Sequence, residues 1–436
     1  LITALQNVFR IEELRTRILF TAVMLAVYRV GCIVVTPGIN GDVIRQFFES
    51  MSGTMFGLLN VFSGGAMESL SIFALGIMPY ISASIIFQLL TIVIPALEKL
   101  KKEGSEGQKR ITQWTRYATI ALALFQSFLM AMALENGQFG QGAVLDPGWG
   151  FRLTTMITLT SGTAFIMWLG EQVSERGIGN GISLIIFSGI IVGLPSGISR
   201  VLDLIRTDQF SILQVIFLGL VIIAAIAFVV YVERGQRRIP IQHARRGGGT
   251  AATAAMSYFP LRVNSAGVIP PIFASSLLMF PLTLRQYTEN PVIQKIIDDW
   301  MNPGSITYNV IYVGLIVFFT FFYTAIVINP DDVSENIKRS GGYIPGIRPG
   351  KNTAEYIDGV LSRLTVVGSI YIAGICVLPV ILSQQMGVPF YFGGTALLIV
   401  VSVALDTMGQ IEAHLVSRRY EGFGMGGGRV RGRLGR

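Results

Sequence analysis

The chain has 436 residues, 51% hydrophobic and 14% charged, with a mean hydropathy of +0.59 and a formal net charge of +8. Soluble domains carry roughly 25% charged residues, so bulk composition excludes an ordinary soluble domain and points to a membrane protein. Cys32 and Cys376 lie inside apolar runs, and His243 and His414 are far apart in sequence, which excludes a disulfide framework and leaves no metal or cofactor site to expect.

Arg10, Arg15 and Arg17 precede the first apolar run without a cleavable signal pattern. The start at Leu1 rather than Met is what a chain lacking a few native residues would show. Spanning a bilayer takes about 20 apolar residues. Runs of that kind occupy 18–35, 70–94, 117–134, 153–170, 182–198, 211–232, 263–284, 308–328, 364–382 and 392–411. Ten spans result, the weakest being 182–198, which Pro195 and Gly197 shorten. Between the first two spans, the apolar piece from Met55 to Phe62 is too brief to cross. It leads through Gly64-Gly65 into a span that Pro79 is expected to kink. A half-helix followed by a full span suggests a segment that dips into a cavity and turns back, since such backbone needs protein or water around it. From spacing alone, Gly64-Gly65 reads equally as a hinge or a turn.

Basic residues are retained on the cytoplasmic side of a membrane. With both termini and alternate loops placed there, 27 of the 34 Lys and Arg residues fall on that side. Arg45, Arg152, Arg200, Arg206, Arg285 and Lys295 fall on the other, and Arg29 lies within the first span. An odd number of spans would scramble that division. An internal echo relates spans two and seven: Gly76-Ile77-Met78-Pro79-Tyr80-Ile81-Ser82-Ala83-Ser84 aligns with Gly267-Val268-Ile269-Pro270-Pro271-Ile272-Phe273-Ala274-Ser275. Five spans apart, the copies run in opposite directions, which is the signature of inverted repeats with a functional path between the halves.

The loop Gly177-Ile178-Gly179-Asn180-Gly181 resembles a nucleotide loop superficially. It follows an apolar helix rather than a strand and lacks a Lys-Ser or Lys-Thr, so a tight turn is the preferred reading. Arg29 and Asp406 are ionisable groups inside spans; such groups face a cavity or a partner, and structural pairing is preferred here over ion coupling, with outward snorkelling of Arg29 a further option. Two basic loops project from the same side, one carrying Arg234, Arg237 and Arg238, the other Arg348 between Gly346 and Gly350. Retention charge alone accounts for most such loops, yet basic protrusions also suit RNA phosphates or acidic protein patches.

Phe62-Ser63-Gly64-Gly65 together with Ser71-Ile72-Phe73-Ala74-Leu75-Gly76-Ile77-Met78-Pro79-Tyr80-Ile81 resembles the signature of the bacterial SecY family of protein-conducting channel subunits. So do the stretch from Pro95 to Gly104, Arg176-Gly177-Ile178-Gly179-Asn180-Gly181, the run from Val232 to Ile239, and Pro345-Gly346-Ile347-Arg348-Pro349-Gly350. The resemblance implies an all-α membrane protein of ten transmembrane helices in two inverted five-helix halves, 1–198 and 199–436, closing as a clamshell. It implies a re-entrant plug half-helix at roughly 57–70, with Phe62, Gly64 and Gly65 in it, and a pore ring of Ile77, Ile81, Ile186, Ile272 and Ile399, with Ile182 a sixth candidate. Each of these isoleucines, taken without the resemblance, reads as ordinary helix packing.

A lateral gate between spans two and three and spans seven and eight would include Ser82, Gln88, Asn180 and Phe280. Docking of partners would fall to Arg237, Arg238 and Arg348 on loops 233–262 and 329–363. The implied partners are the small membrane subunits SecE and SecG, the motor ATPase SecA, the ribosome, membrane lipid, and a signal sequence or nascent chain as substrate. The implied location is the bacterial cytoplasmic membrane, with both termini cytoplasmic and a basic C-terminal tail. The chain departs from the pattern at 247–255, a Gly/Ala/Thr-rich tip lacking charge, so docking by this loop is expected to be weaker or to rest on its arms. The function expected is a passive channel, not an enzyme, with a secondary transporter of inverted-repeat architecture as the alternative.

Overall fold

A computed structural model describes residues 11–50, 63–207, 211–243, 257–287, 305–386 and 394–425, together with 292, 295 and 300. Apolar runs become helices because, away from water, a helix satisfies every backbone group within its own segment. In chain order these are α1 (Glu12–Gly31), α2 (Gly41–Ser50), α3 (Met78–Val93), α4 (Pro95–Lys102), α5 (Ser105–Glu135), α6 (Trp149–Arg176), α7 (Gly181–Arg206) and α8 (Ile212–Glu233). After a β-hairpin come α9 (Ile269–Tyr287), α10 (Ile306–Val327), α11 (Pro330–Arg339), α12 (Lys351–Met386) and α13 (Gly394–Met425). Every predicted span overlaps a helix. Among the described residues, seven helices are long and apolar enough to cross a membrane, or eight if the bent pair α3–α4 is one span. α1 falls short of that standard because Arg15, Arg17 and Arg29 interrupt it.

Three expectations are corrected. Span two is not helical throughout: residues 63–77 form consecutive turns and α3 starts only at Met78. Its 16 residues reach about 24 Å, so the turns make up the remaining depth. Phe62 and the rest of 57–62 lie outside the described residues, and the described part of the predicted plug, 63–70, is turn rather than half-helix. Second, Pro79 does not kink a helix. It sits in the first turn of α3, where a missing N–H costs nothing, and Pro270 and Pro271 stand likewise at the start of α9. The sharp bend is downstream, 99° between α3 and α4 at Pro95.

Third, the protein is mostly but not wholly helical. Strand β1 (Gln236–His243) pairs antiparallel with β2 (Ser257–Arg262) and with β3 (Gly342–Tyr343), giving the order β2-β1-β3. The register sets Arg237 opposite Leu261 and Gln242 opposite Tyr343. Ile239 and Ile241 alternate inward, as strand geometry requires, onto a core with Leu261, Ile337, Ile344, Ile357 and Leu361. One small sheet thereby ties both basic loops together.

The helix packing has its own echo. In the N-terminal half α3 packs on α5, α5 on α6, α6 on α7, and α1 on α7. In the C-terminal half α9 packs on α10, α10 on α12, α12 on α13, and α8 on α13. Each contact in the first set has a counterpart in the second, while α1 also packs on α6. Between the two sets, α7 contacts α13 and α3 contacts α9.

Candidate functional site

The two echoed stretches fold alike. Gly76 (φ +57°) and Gly267 (φ +64°) both take the left-handed conformation, which glycine adopts without steric cost. Two residues later a helix begins, with proline as its second residue in each case. In the second copy the turn is fixed from outside: Asn264 brackets Gly267, Nδ2 donating to its carbonyl at 3.1 Å and Oδ1 accepting its N–H at 3.0 Å. Glu233 at the end of α8 accepts from Asn264 Nδ2 at 2.7 Å. Sequence reading missed this joint, although an Asn three residues before a Gly is a turn signal.

From these starts Ile77, Ile81 and Ile272 run into one hydrophobic cluster that also takes Ile186 from α7 and Ile399 from α13. All five are between 1% and 8% exposed, and Ile182 is half-buried against the same cluster. All five thus belong to one extended core cluster, to which residues from both the first and the second part of the chain contribute.

Residues 63–77 are lodged beside that cluster. Tyr28 O–H donates to the Ser63 carbonyl at 3.1 Å, and Arg29 Nη1 donates to the Gly64 carbonyl at 2.7 Å. Further on, Thr36 N–H donates to Leu70 at 3.0 Å and Ile72 N–H to Val34 at 2.9 Å, closing a bridge between Val35 and Ser71. Those contacts hold Leu70 at φ +41°, a conformation unfavourable for a branched side chain. Phe73 stacks on Tyr28 at 5.8 Å and fills the space left by the missing side chain of Gly31. Arg29 therefore turns inward to a backbone carbonyl instead of snorkelling outward. Gly65 stands next in the same turn, with open space around it.

Ser82 and Gln88 both lie on α3 and are half-buried. Gln88 Nε2 donates to Ser84 Oγ at 3.3 Å. Gln88 also lines a cavity of about 390 Å³ between α3, α5 and α10, with Ser84, Thr91, Gln108, Thr115 and Tyr323 among its walls. Asn180 is not brought to this place: it is exposed and its Oδ1 accepts the Ser183 N–H at 3.3 Å, which caps α7. The backbone of Phe280 belongs to α9, and its side chain lies outside the described residues.

The glycine loop offers no phosphate cradle, because its amides are already taken. Ile178 N–H donates to Thr21 Oγ1 at 3.1 Å, Gly179 N–H to Gln410 Oε1 at 2.9 Å and Gly181 N–H to Ser174 Oγ at 2.9 Å. The loop instead joins α1, α6 and α13. Asp406 pairs with Arg262 at 3.0 Å, both side chains more than half exposed, a contact of small energetic value.

On the sheet, Arg237 and Arg238 are exposed at the start of β1. Arg348 is exposed on the neighbouring loop, whose backbone is fixed by Thr353 Oγ1 donating to the Arg348 carbonyl at 3.0 Å and Ser334 Oγ to Gly350 at 2.7 Å. The uncharged tip 247–255 lies outside the described residues.

Comparison with known proteins agrees with this geometry. The SecY family model matches residues 71–408. Protein translocase subunit SecY of Escherichia coli strain K12 is 48% identical over 413 residues, covering 94% of this chain and 93% of that protein. The Aquifex aeolicus subunit is 43% identical over 423 residues, covering 96% and 98%. A solved structure described as that of a protein conducting channel superposes with a TM-score of 0.63 at 20% identity, covering 92% and 93%. Sec61 from the canine ribosome-channel complex gives 0.63 at 19% identity over the same shares. A chain matched by the family model over most of its length, and nearly half identical to translocase subunits across 94% of its residues, belongs to the SecY family.

Proposed function

We propose that this multi-pass membrane protein is a passive protein-conducting channel that moves unfolded polypeptides outward and releases apolar segments sideways into lipid. The observation supporting the reading is that Ile77, Ile81 and Ile186 from the first part of the chain share one large buried cluster with Ile272 and Ile399 from the second. An apolar constriction of that kind dewets and blocks ions, while aliphatic side chains can part around an extended chain. The plug, roughly 57–70, closes the path, and the turns at 63–70 are its described part. A solved SecY structure whose plug domain is described as stabilising the closed state and maintaining a membrane seal has a TM-score of 0.65 to this chain.

Ten transmembrane helices in two inverted halves, 1–198 and 199–436, open as a clamshell. The recurring pair pattern supports this, as does the meeting of the halves at α3–α9 and α7–α13. Separation of α3 from α9 forms the lateral gate. Ser82, Gln88 and Phe280 stand along it, Gln88 on the polar cavity that adjoins it, and Asn180 contributes by fixing the start of α7. Energy comes from partners. Arg237, Arg238 and Arg348, carried on one sheet-bound platform, take the motor ATPase SecA or the ribosome; the canine Sec61 relative is described in a ribosome-channel complex. SecE and SecG complete the assembly in the bacterial cytoplasmic membrane, with both termini cytoplasmic. A carrier of small solutes finds no support in the family, and the intramembrane Arg29 is used on backbone rather than on a transport path.

Reconstitution tests the reading. Vesicles holding the purified protein with its small subunits, given SecA and ATP, are expected to protect a secretory precursor from added protease. Absence of protection together with saturable uptake of a small solute would overturn it.

A further inference from the structure

Within the channel reading, on which this inference rests, the turns at 63–70, the described part of the plug, have to leave the path when a polypeptide enters, and what holds them and the turns that follow sets how readily that happens. Their first two residues are tied to α1 by side chains, while the Ser63 carbonyl also takes the Ala66 N–H at 3.4 Å within the turn. Tyr28 and Arg29, successive residues near the end of α1, each donate one hydrogen bond, to the carbonyls of Ser63 and Gly64. Tyr28 is among the most completely buried large side chains of the molecule, and its ring also stacks on Phe73 farther along the same segment. The receiving position is closely fitted. Gly64 has φ +70°, and a side chain there would meet the Gly189 backbone of α7 at 2.9 Å, the Tyr28 hydroxyl at 3.0 Å and the Arg29 guanidinium at 3.1 Å. Opposing walls from α1 and α7 thus close on the two carbonyls. Farther along, Glu68 pairs with Arg45 at 3.8 Å, Ser69 Oγ donates to the Cys32 carbonyl at 3.2 Å, and the bridge between Val35 and Ser71 is made of backbone groups.

We infer that Tyr28 and Arg29 are positioning residues that latch the closing segment, and that the latch sets the stringency with which the channel admits signal segments. The two donors act on the closed arrangement alone, because displaced carbonyls find water in the opened path. Arg29 supplies the stronger bond, charge-assisted and short; Tyr28 supplies a neutral one and a packing surface. An Arg inside the first span, which hydropathy marks only as a cost, then has a use specific to the resting state. Losing a charge-assisted hydrogen bond shifts a two-state balance by about tenfold or more.

The test uses the purified channel with its small subunits in vesicles, comparing Arg29→Leu, Tyr28→Phe and a chain lacking residues 63–69. Resting ion conductance and translocation of a precursor with a disabled signal segment are read together, and the temperature of unfolding serves as the fold control. Tyr28→Phe keeps the ring and removes one oxygen, so it reads the latch even if Arg29→Leu folds poorly. The expected result is raised conductance and acceptance of the disabled signal in both substitutions, by about tenfold for Arg29→Leu and less for Tyr28→Phe. Wild-type conductance and stringency in both substitutions, alongside raised conductance in the deleted chain, would overturn the latch and leave the channel reading standing. No change in any of the three would overturn the closing role of the segment as well.

Discussion

Arg29 and Asp406 are both charges set within apolar runs, yet they end in different surroundings. Asp406 is exposed on the surface of α13 and pairs loosely with Arg262, whereas Arg29 is half-buried and bound to a carbonyl. Hydropathy marks both positions but no partner, since the partners come from 35 and 144 residues away. The same limit hid Thr21 and Gln410, which occupy the glycine-loop amides. At the C-terminal end of α5, the Glu135 side chain is 7% exposed, accepts from Arg152 Nε at 2.6 Å and takes the Gly148 N–H at 2.8 Å. The Arg152 guanidinium holds the Glu135 carboxyl below the usual carboxylate range. A lowered value means stability that is present above the unfolded-state range and lost as pH falls through the lowered one. Arg152→Met is expected to cost about 2 to 3 kcal/mol at neutral pH and to flatten the acid limb of a thermal-stability profile; an unchanged profile would show the pair to be idle. The proposed ring isoleucines were legible only through the family resemblance, because five buried aliphatics in or beside helices read equally as packing. Replacing Ile81 and Ile399 by Gly is expected to raise resting ion conductance, and an unaltered conductance would remove their sealing role.

At the scale of elements, each of the ten apolar runs overlaps a helix, because a helix satisfies its own backbone groups where water is absent. Seven or eight of the described helices are long and apolar enough to cross a membrane. What the runs did not locate was where α3 begins. The run from Leu70 is uninterrupted in hydropathy, yet Gly76 breaks it and Pro79 starts the helix. Because Pro79 lies in the first turn, Pro79→Ala is expected to change the unfolding temperature by no more than the equivalent of about 1 kcal/mol; a larger change would reinstate a kink-dependent helix. The sheet was missed although Ile239 and Ile241 alternate and Tyr258-Phe259 favour a strand. Its consequence is mechanical: β2 runs within a few residues into α9, and the Glu233–Asn264 bond fixes the turn between them. The docking platform is therefore attached to one wall of the proposed gate. Arg348→Glu is expected to weaken SecA-driven translocation at normal expression, and full activity of that variant would count against docking there.

At the scale of the molecule, a nine-residue echo in the sequence has its counterpart in turn, helix start and helix-pair pattern. The contacts of α3 with α9 and of α7 with α13 were not legible in the residues, because they depend on how helices distant in sequence face each other. The central claim is that a polypeptide passes between those halves through the isoleucine cluster. It is tested most directly by placing a single cysteine at Ile81, at Ile272 or, as a control, at Leu220, which is exposed on the outer face of α8. A secretory chain is stalled in transit and crosslinked. The expected result is a crosslink from Ile81→Cys and from Ile272→Cys but none from Leu220→Cys. Absence of crosslinks at both isoleucine positions, while the stalled chain is demonstrably bound, would contradict it.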